Sequence, residues 1–205
     1  MQKKSHWETV YTTKESSDVS WFQPHAVTSL KFINRLNCEK SAAIIDVGGG
    51  ASTLVDDLLL NGHTNVSVLD LSGAALATAK KRIGESSANV GWIEADITEV
   101  RLPKQQFDVW HDRAVFHFLT TPEERSAYIK NLLHALKPHG HIIIATFAED
   151  GPEKCSGLPI VRYSAESLHA EFGEYFVLKE QRYETHTTPF ATTQKFVYCH
   201  FVKAG

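Results

Sequence analysis

The sequence predicts an α/β domain of the doubly wound kind, a mostly parallel sheet with helices on both faces. Three observations carry that expectation. Short apolar runs alternate with helically spaced segments from residue 42 onward. The first run ends in a glycine turn that opens directly into a helical segment. The last two strand-like runs follow one another with no helix between them. Alternating strands and helices argue for parallel pairing, because a crossover helix must cover the sheet it leaves.

Taken in order, residues 1–27 are polar but carry Trp7, Tyr11, Trp21 and Phe22. Residues 28–36 then place Leu30, Ile33 and Leu36 at helical spacing. Strand-like runs follow at 43–47, 66–69, 90–94, 107–110 and 141–147, with helical segments at 53–60, 73–83 and 122–136. The last helix opens Thr121-Pro122-Glu123-Glu124, with proline at its first position and acids at its positive end. It should close at Lys137-Pro138-His139-Gly140. Residues 150–158 (DGPEKCSGL) interrupt the pattern and suit a lid loop near the carboxyl ends of the strands. A helix near 165–172 precedes runs at 175–185 and 194–202, which read as an antiparallel hairpin around Pro189.

Composition narrows the class. At 205 residues, the chain is most simply one structural domain. Residues 1–41 form an arm and helix that cover a site, and 42–205 form the ligand-binding unit. With 42% hydrophobic and 22% charged residues, it reads as globular. A net charge of −3 without a dense Lys/Arg run gives no footprint for nucleic acid. No apolar stretch suits a signal peptide or a membrane span. Cys38, Cys155 and Cys199 are odd in number and scattered, as expected of reduced thiols in a cytoplasmic protein. A monomer or weak dimer is expected, and no metal site.

The glycine turn is the richest motif. In AAIIDVGGGAS (42–52), Asp46 closes an apolar run and Gly48, Gly49 and Gly50 follow. Glycines let backbone approach a ligand, and the helix behind them offers free N–H groups. A dinucleotide fingerprint wants a third glycine where Thr53 stands, and the phosphate loop G-x-x-x-x-G-K-[ST] is absent. Instead an acid precedes the glycines, and a second acid, Asp70, ends the next run 20 residues beyond Gly50. One carboxylate there can accept hydrogen bonds from both hydroxyls of a ribose.

With those residues in view, the chain resembles the class I S-adenosylmethionine-dependent methyltransferases. DVGGG (46–50), VLDLS (68–72), EADI (94–97), FDVWHDRAVFHFL (107–119) and LLHALKPHGHIIIATF (132–147) fall in that family's order. Ser52 departs from it, standing where many members have a further glycine. The resemblance implies a Rossmann-like three-layer sandwich with a seven-stranded sheet and an antiparallel C-terminal hairpin. It implies S-adenosyl-L-methionine as methyl donor and S-adenosyl-L-homocysteine as product. Asp46, Gly48, Gly49 and Gly50 would then lie near the donor's methionine part and Asp70 and Leu71 at its ribose. Asp96 would meet the adenine amino group, with Ala95 and Ile97 flanking the ring. Asp46 as a mere cap of the turn, and Asp70 as a helix N-cap, are the structural alternatives.

In that family the fourth strand ends beside the transferred methyl group. The [DN]PP[YFW] motif of DNA methyltransferases is missing there. Asp112-Arg113-Ala114 is instead similar to an element of thiopurine and related thiol methyltransferases, in which an arginine lies close to the substrate. Arg113 is therefore the candidate for holding an anionic acceptor or stabilising a thiolate. His111 and His117 are candidate proton acceptors. Tyr11, Trp21, Phe22, Asp112 and Cys155 complete the expected pocket for a small-molecule acceptor. The opposing structural reading pairs Asp112 with Arg113, packs the histidines, and lets the aromatics merely pin the arm. Cys155 with Cys199-His200 would suit a metalloid only if they met in space. Protein lysine methylation is the rival within enzymes, because a W-x(3)-Y and a Trp-Phe pair also lead some such enzymes. A silent donor-binding domain and a nicotinamide oxidoreductase are the remaining alternatives.

Overall fold

The computed structural model describes residues 2–205. Its strands are β1 (Ile44–Val47), β2 (Val66–Asp70), β3 (Val90–Glu94), β4 (Phe107–Arg113), β5 (Leu136–Phe147), β6 (Lys154–Cys155), β7 (Leu158–Pro159), β8 (Phe176–Thr187) and β9 (Thr193–Lys203). The helices are α1 (Gln2–Thr13), α2 (Val27–Arg35), α3 (Leu54–Leu60), α4 (Gly73–Ile83), α5 (Pro122–Ala135) and α6 (Ala165–Phe172). Seven strands form one sheet in the order β3-β2-β1-β4-β5-β9-β8. The pairs from β3 across to β5 are parallel, and β9 is antiparallel to both β5 and β8. This is the Rossmann-like sandwich with its C-terminal hairpin. Strand order reverses between β1 and β4, and a crevice opens at their carboxyl ends, where such sheets bind ligands.

Two apolar layers hold the sandwich. On one face α2, α3 and α4 bring Phe32, Ile33, Leu54, Leu58 and Leu76 onto Ile44, Val68 and Val109. On the other, α5 and α6 bring Tyr128, Leu132, Leu168 and Phe172 onto Trp110, Ile142 and Ile144. Helix starts follow local chemistry. Ser72 Oγ accepts from Ala75 N at 3.1 Å at the head of α4. Thr121 and Glu124 form a capping box on α5, with Pro122 at its first position.

Three details differ from the sequence expectation. The arm begins with a helix, α1, in a segment read only as polar with four aromatics. β4 runs to Arg113, three residues past its apolar run. β5 begins at Leu136, so the expected helix-closing segment 137–140 already belongs to a strand, and Leu136 pairs with Phe107. No helix among the described residues is long and apolar enough to cross a membrane.

Candidate active site

The glycine turn sits at the carboxyl end of β1. Gly48 has φ +70°, and a Cβ on it would overlap the Val115 side chain, so a larger residue is excluded by both backbone and space. A Cβ on Gly50 would lie 2.5 Å from Asp70 Oδ2, so this glycine makes room for the acid at the end of β2. Asp70 Oδ1 accepts from Ser72 N at 2.8 Å. Burial pushes the Asp70 carboxyl up to about 7, against the lowering effect of the Ser72 amide. Asp96, beyond β3, accepts from Thr98 N at 2.8 Å and Thr98 Oγ1 at 2.7 Å. Ala95 is tied by its N–H to Asp70 O at 3.0 Å, which draws the two strand ends together.

Over these strand ends lies α1, and beneath it a cavity of about 870 Å³ including its open mouth. Gly48, Asp70, Leu71, Ala95, Asp96 and Ile97 form its floor. Trp7, Tyr11, Trp21, Phe118, Arg113 and Cys155 line the remainder. Trp7 packs edge-on against both Trp21 and Phe118, with ring centroids 5.6 and 5.2 Å apart. Trp21 Nε1 donates to Tyr11 Oη at 3.3 Å. The helix is fastened on two sides. Lys3 pairs with Glu124 of α5, Lys4 with Glu94 at 2.6 Å, and Glu8 accepts from Gly73 N at 2.6 Å. Glu8 thereby caps α4 from another helix, and a carboxylate there also meets the positive helix end.

A second cavity of about 570 Å³ adjoins the first, with Tyr11, Trp21, Gly48 and Arg113 common to both. Asp46, Gly49, Phe22 and His111 line it. Asp46 is 2% exposed, and its Oδ1 meets His111 Nδ1 at 2.7 Å. Its Oδ2 has no hydrogen-bond partner. A buried carboxylate oxygen without a donor calls for a ligand, and a cationic ligand group suits it. The residues present therefore fit the amino-acid end of S-adenosylmethionine.

The end of β4 rearranges the expected acceptor side. Because the strand continues to Arg113, successive side chains alternate between faces. His111 reaches Ser29 of α2 and Arg113 reaches Tyr198 of β9, while Asp112 points the other way, to Tyr128 of α5. Asp112 is fully buried and accepts from Tyr128 Oη at 2.7 Å, Val115 N at 2.9 Å and Phe116 N at 3.2 Å. Burial raises it to about 6. It lines neither of these two cavities and does not pair with Arg113; it ties the turn after β4 to α5. His117 is also fully buried, between Phe118 and Phe147, and lines neither cavity. Burial, with Arg113 nearby, lowers it to about 3, so it is held neutral. His111 has both nitrogens engaged, the second with Ser29 Oγ at 2.8 Å. Neither histidine is placed as a free proton acceptor.

Arg113 does face both cavities. Its Nε donates to Tyr198 Oη at 3.0 Å and its Nη1 to Trp21 O at 3.1 Å, while Nη2 makes no hydrogen bond and lies 3.9 Å from Glu184 Oε1. The guanidinium sits 4.4 Å over the Phe196 ring. Cys155 lines the main cavity as a thiol, pushed up to about 12 by burial, so it offers no thiolate. Cys199, by contrast, is buried in the sheet core with Ile144 as its cross-strand partner. Among the described residues, no group of three or more His, Cys, Asp or Glu is placed to hold a metal ion. Lys3, Val115, Leu119 and Glu124 also line the main cavity; nothing in their local sequence marks them, since each arrives by packing.

A sheet of this order, with a glycine turn and acids at successive strand ends, is a Rossmann-like fold whose crevice binds ligands. A family model described as a methyltransferase domain matches residues 44–140. The chain is a methyltransferase enzyme that uses S-adenosylmethionine as methyl donor. It is similar to EEF1A lysine methyltransferase 2 of Danio rerio, 27% identical over 70% of this chain and 67% of the relative. The Homo sapiens protein of the same name is 23% identical over 87% and 75%. Among solved structures, the fold is shared with a methyltransferase of Anabaena variabilis at TM-score 0.75 and 16% identity, over 99% and 96% of the two chains. It is shared also with the 1,6-didemethyltoxoflavin-N1-methyltransferase of Burkholderia thailandensis, solved with its substrate and S-adenosylhomocysteine. There the TM-score is 0.69 and the identity 18%, over 100% of this chain and 85% of that one.

Proposed function

We propose that this enzyme methylates a small molecule that enters between α1, the end of β4 and the 148–158 segment. One observation carries the reading: α1 is fastened across the strand ends on both sides, so the reacting space is roofed rather than an open groove. A roofed space suits a compact acceptor better than a segment of folded protein.

Asp46 and the turn Gly48–Gly49–Gly50 hold the donor's amino-acid end, Asp70 with Leu71 its ribose, and Asp96, Ala95 and Ile97 its adenine. When bound, S-adenosylmethionine supplies a methyl group on a positively charged sulfur. The chain's own residues position and shield. Trp7, Tyr11, Trp21 and Phe118 exclude water, and a ring face among them would attract the cationic sulfur. Arg113, which lines both cavities, is the contact for an anionic group of the acceptor. Cys155 contributes shape rather than a nucleophile. Neither His111 nor His117 is free to take a proton at this end of the cavity, which favours an acceptor that ionises easily, such as a thiol.

A second reading is protein lysine methylation, favoured by the curated relatives named for that activity. Both readings meet in one assay. Methyl-labelled donor is offered with the dialysed protein fraction of a cell lysate, and separately with a panel of thiols, phenols, amines and carboxylates. Label entering a panel compound supports the small-molecule reading. Label confined to lysine of a single protein band replaces it.

A further inference from the structure

We propose that His111 is a positioning residue for the amino-acid end of the methyl donor: it turns Asp46 so that Oδ2 is kept free to receive an ammonium group. The inference rests on the assignment of Asp46 to the donor's amino end. It starts from register. Asp46 and His111 are directly paired across the parallel strands β1 and β4, so their side chains emerge side by side on one face. Both are nearly solvent-free, and the Asp46 Oδ1 to His111 Nδ1 separation is 2.7 Å.

An ionised carboxylate can only accept a hydrogen bond, so Nδ1 carries the proton in this pair. On the other side of the ring, Nε2 is hydrogen-bonded to Ser29 Oγ at 2.8 Å. Ser29 is fully buried on α2, and Phe32, one turn further along that helix, stacks on Tyr198 at 5.9 Å. The ring is thus fixed at both nitrogens. A histidine held this way cannot also serve as a proton acceptor, but it can hold its partner's rotamer.

The opposite side of Asp46 shows what the rotamer is for. A Cβ on Gly49 would overlap Asp46 Oδ2, so the glycine leaves the space into which that oxygen points. Oδ2 is buried and without a partner, and Asp46 lines the second cavity. One carboxylate oxygen is therefore consumed by the protein and the other reserved. Without the imidazole, the carboxylate could turn and satisfy itself elsewhere, and the reserved oxygen would no longer be presented.

Calorimetry with two probes tests this. S-adenosylhomocysteine carries the amino-acid end, and 5′-methylthioadenosine lacks it. His111→Ala should weaken S-adenosylhomocysteine by about 10- to 100-fold, the range of a lost charge-assisted contact, and leave methylthioadenosine within about twofold. His111→Asn, whose amide N–H can take the place of Nδ1–H, should recover most of the loss. Ser29→Ala should give a smaller loss with the same selectivity between the probes, and it carries the test if His111→Ala does not fold. Equal losses on both probes, or none, would overturn the proposal. Asp46→Asn separates the two levels. If it too fails to discriminate between the probes, the assignment of Asp46 falls with the inference. If it discriminates and the His111 and Ser29 variants do not, only the inference falls.

Discussion

At the donor end of the cavity, Asp46 and Asp70 stand on neighbouring parallel strands and are 2% and 8% exposed. At the acceptor end the cover is α1, in which only Val10 of the described side chains is buried. The first region is built by backbone: strand termini set the acids, and glycines clear the space around them. The second is built by side-chain fastenings from Lys3, Lys4 and Glu8 of α1, which lie outside the sheet. The contrast explains how one donor site can serve many acceptors, because the parts that choose the acceptor are not the parts that carry the fold. It also implies that donor binding and acceptor recognition can be damaged separately.

The largest change in donor affinity is expected from Asp70→Asn. The amide can still accept from Ser72 N but loses the charged contact to the ribose. Affinity for S-adenosylhomocysteine should fall by at least about tenfold. Melting should occur at or above the wild-type temperature, because a buried carboxylate has been removed. A calorimetric titration beside a melting curve checks both, and unchanged affinity would make Asp70 a purely structural residue.

A pH series sharpens the same point. Asp70 is raised to about 7 and Asp112 to about 6, each chiefly by burial. Carboxyls whose pKa is raised on folding give stability that is full below their unfolded values and is lost as pH rises through the folded ones. The unliganded protein should therefore lose melting temperature between about pH 4 and pH 7. Affinity for S-adenosylhomocysteine should move oppositely and rise toward pH 7 as Asp70 ionises. Asp70→Asn should remove the rise in affinity while keeping the portion of the stability loss due to Asp112. Affinity that stays flat with pH in the wild type would detach Asp70 from the ribose.

What was legible in the sequence follows the same division. The glycine turn and Asp70 could be placed because a strand end followed by a helix start fixes position locally; Asp96 was legible only as an acid just past the apolar run of β3. The β4 end misled, since the apolar run stops at Trp110 and residues 111–119 then look like a loop in which every side chain is available. Extension of β4 to Arg113 imposes alternation, which sends Asp112 to Tyr128 and leaves only Arg113 of the acidic-basic pair at the cavity. His117 lies past the strand, and its burial between Phe118 and Phe147 is a product of packing. The helix α1 was hidden because its hold on the protein is by Lys3, Lys4 and Glu8, and polar residues make no apolar stripe to read. Arm aromatics were visible as a composition; that Trp7 would meet Phe118 was not.

A smaller effect is expected from Glu8→Gln, which weakens the cap that α1 places on α4. A charged cap of this kind contributes about 0.5–2 kcal/mol. Hydrogen exchange across residues 2–13 should accelerate while the sheet amides stay protected. Affinity for S-adenosylhomocysteine should change by only a few-fold. Uniform acceleration through β1 and β2 would mean that the roof and the floor unfold together, against the contrast drawn above.

The separation of the two regions is tested most directly at Arg113, which touches both cavities yet anchors the arm through Trp21 O and the hairpin through Tyr198. The measurement is the affinity of Arg113→Ala for S-adenosylhomocysteine, taken with its turnover on the acceptor found in the labelled-donor assay. Donor affinity within about threefold of wild type, with turnover and its ratio to KM both strongly reduced, is the predicted result, since the lost contact acts on the acceptor side. Loss of donor affinity in step with turnover, on the scale expected for Asp70→Asn, would contradict it.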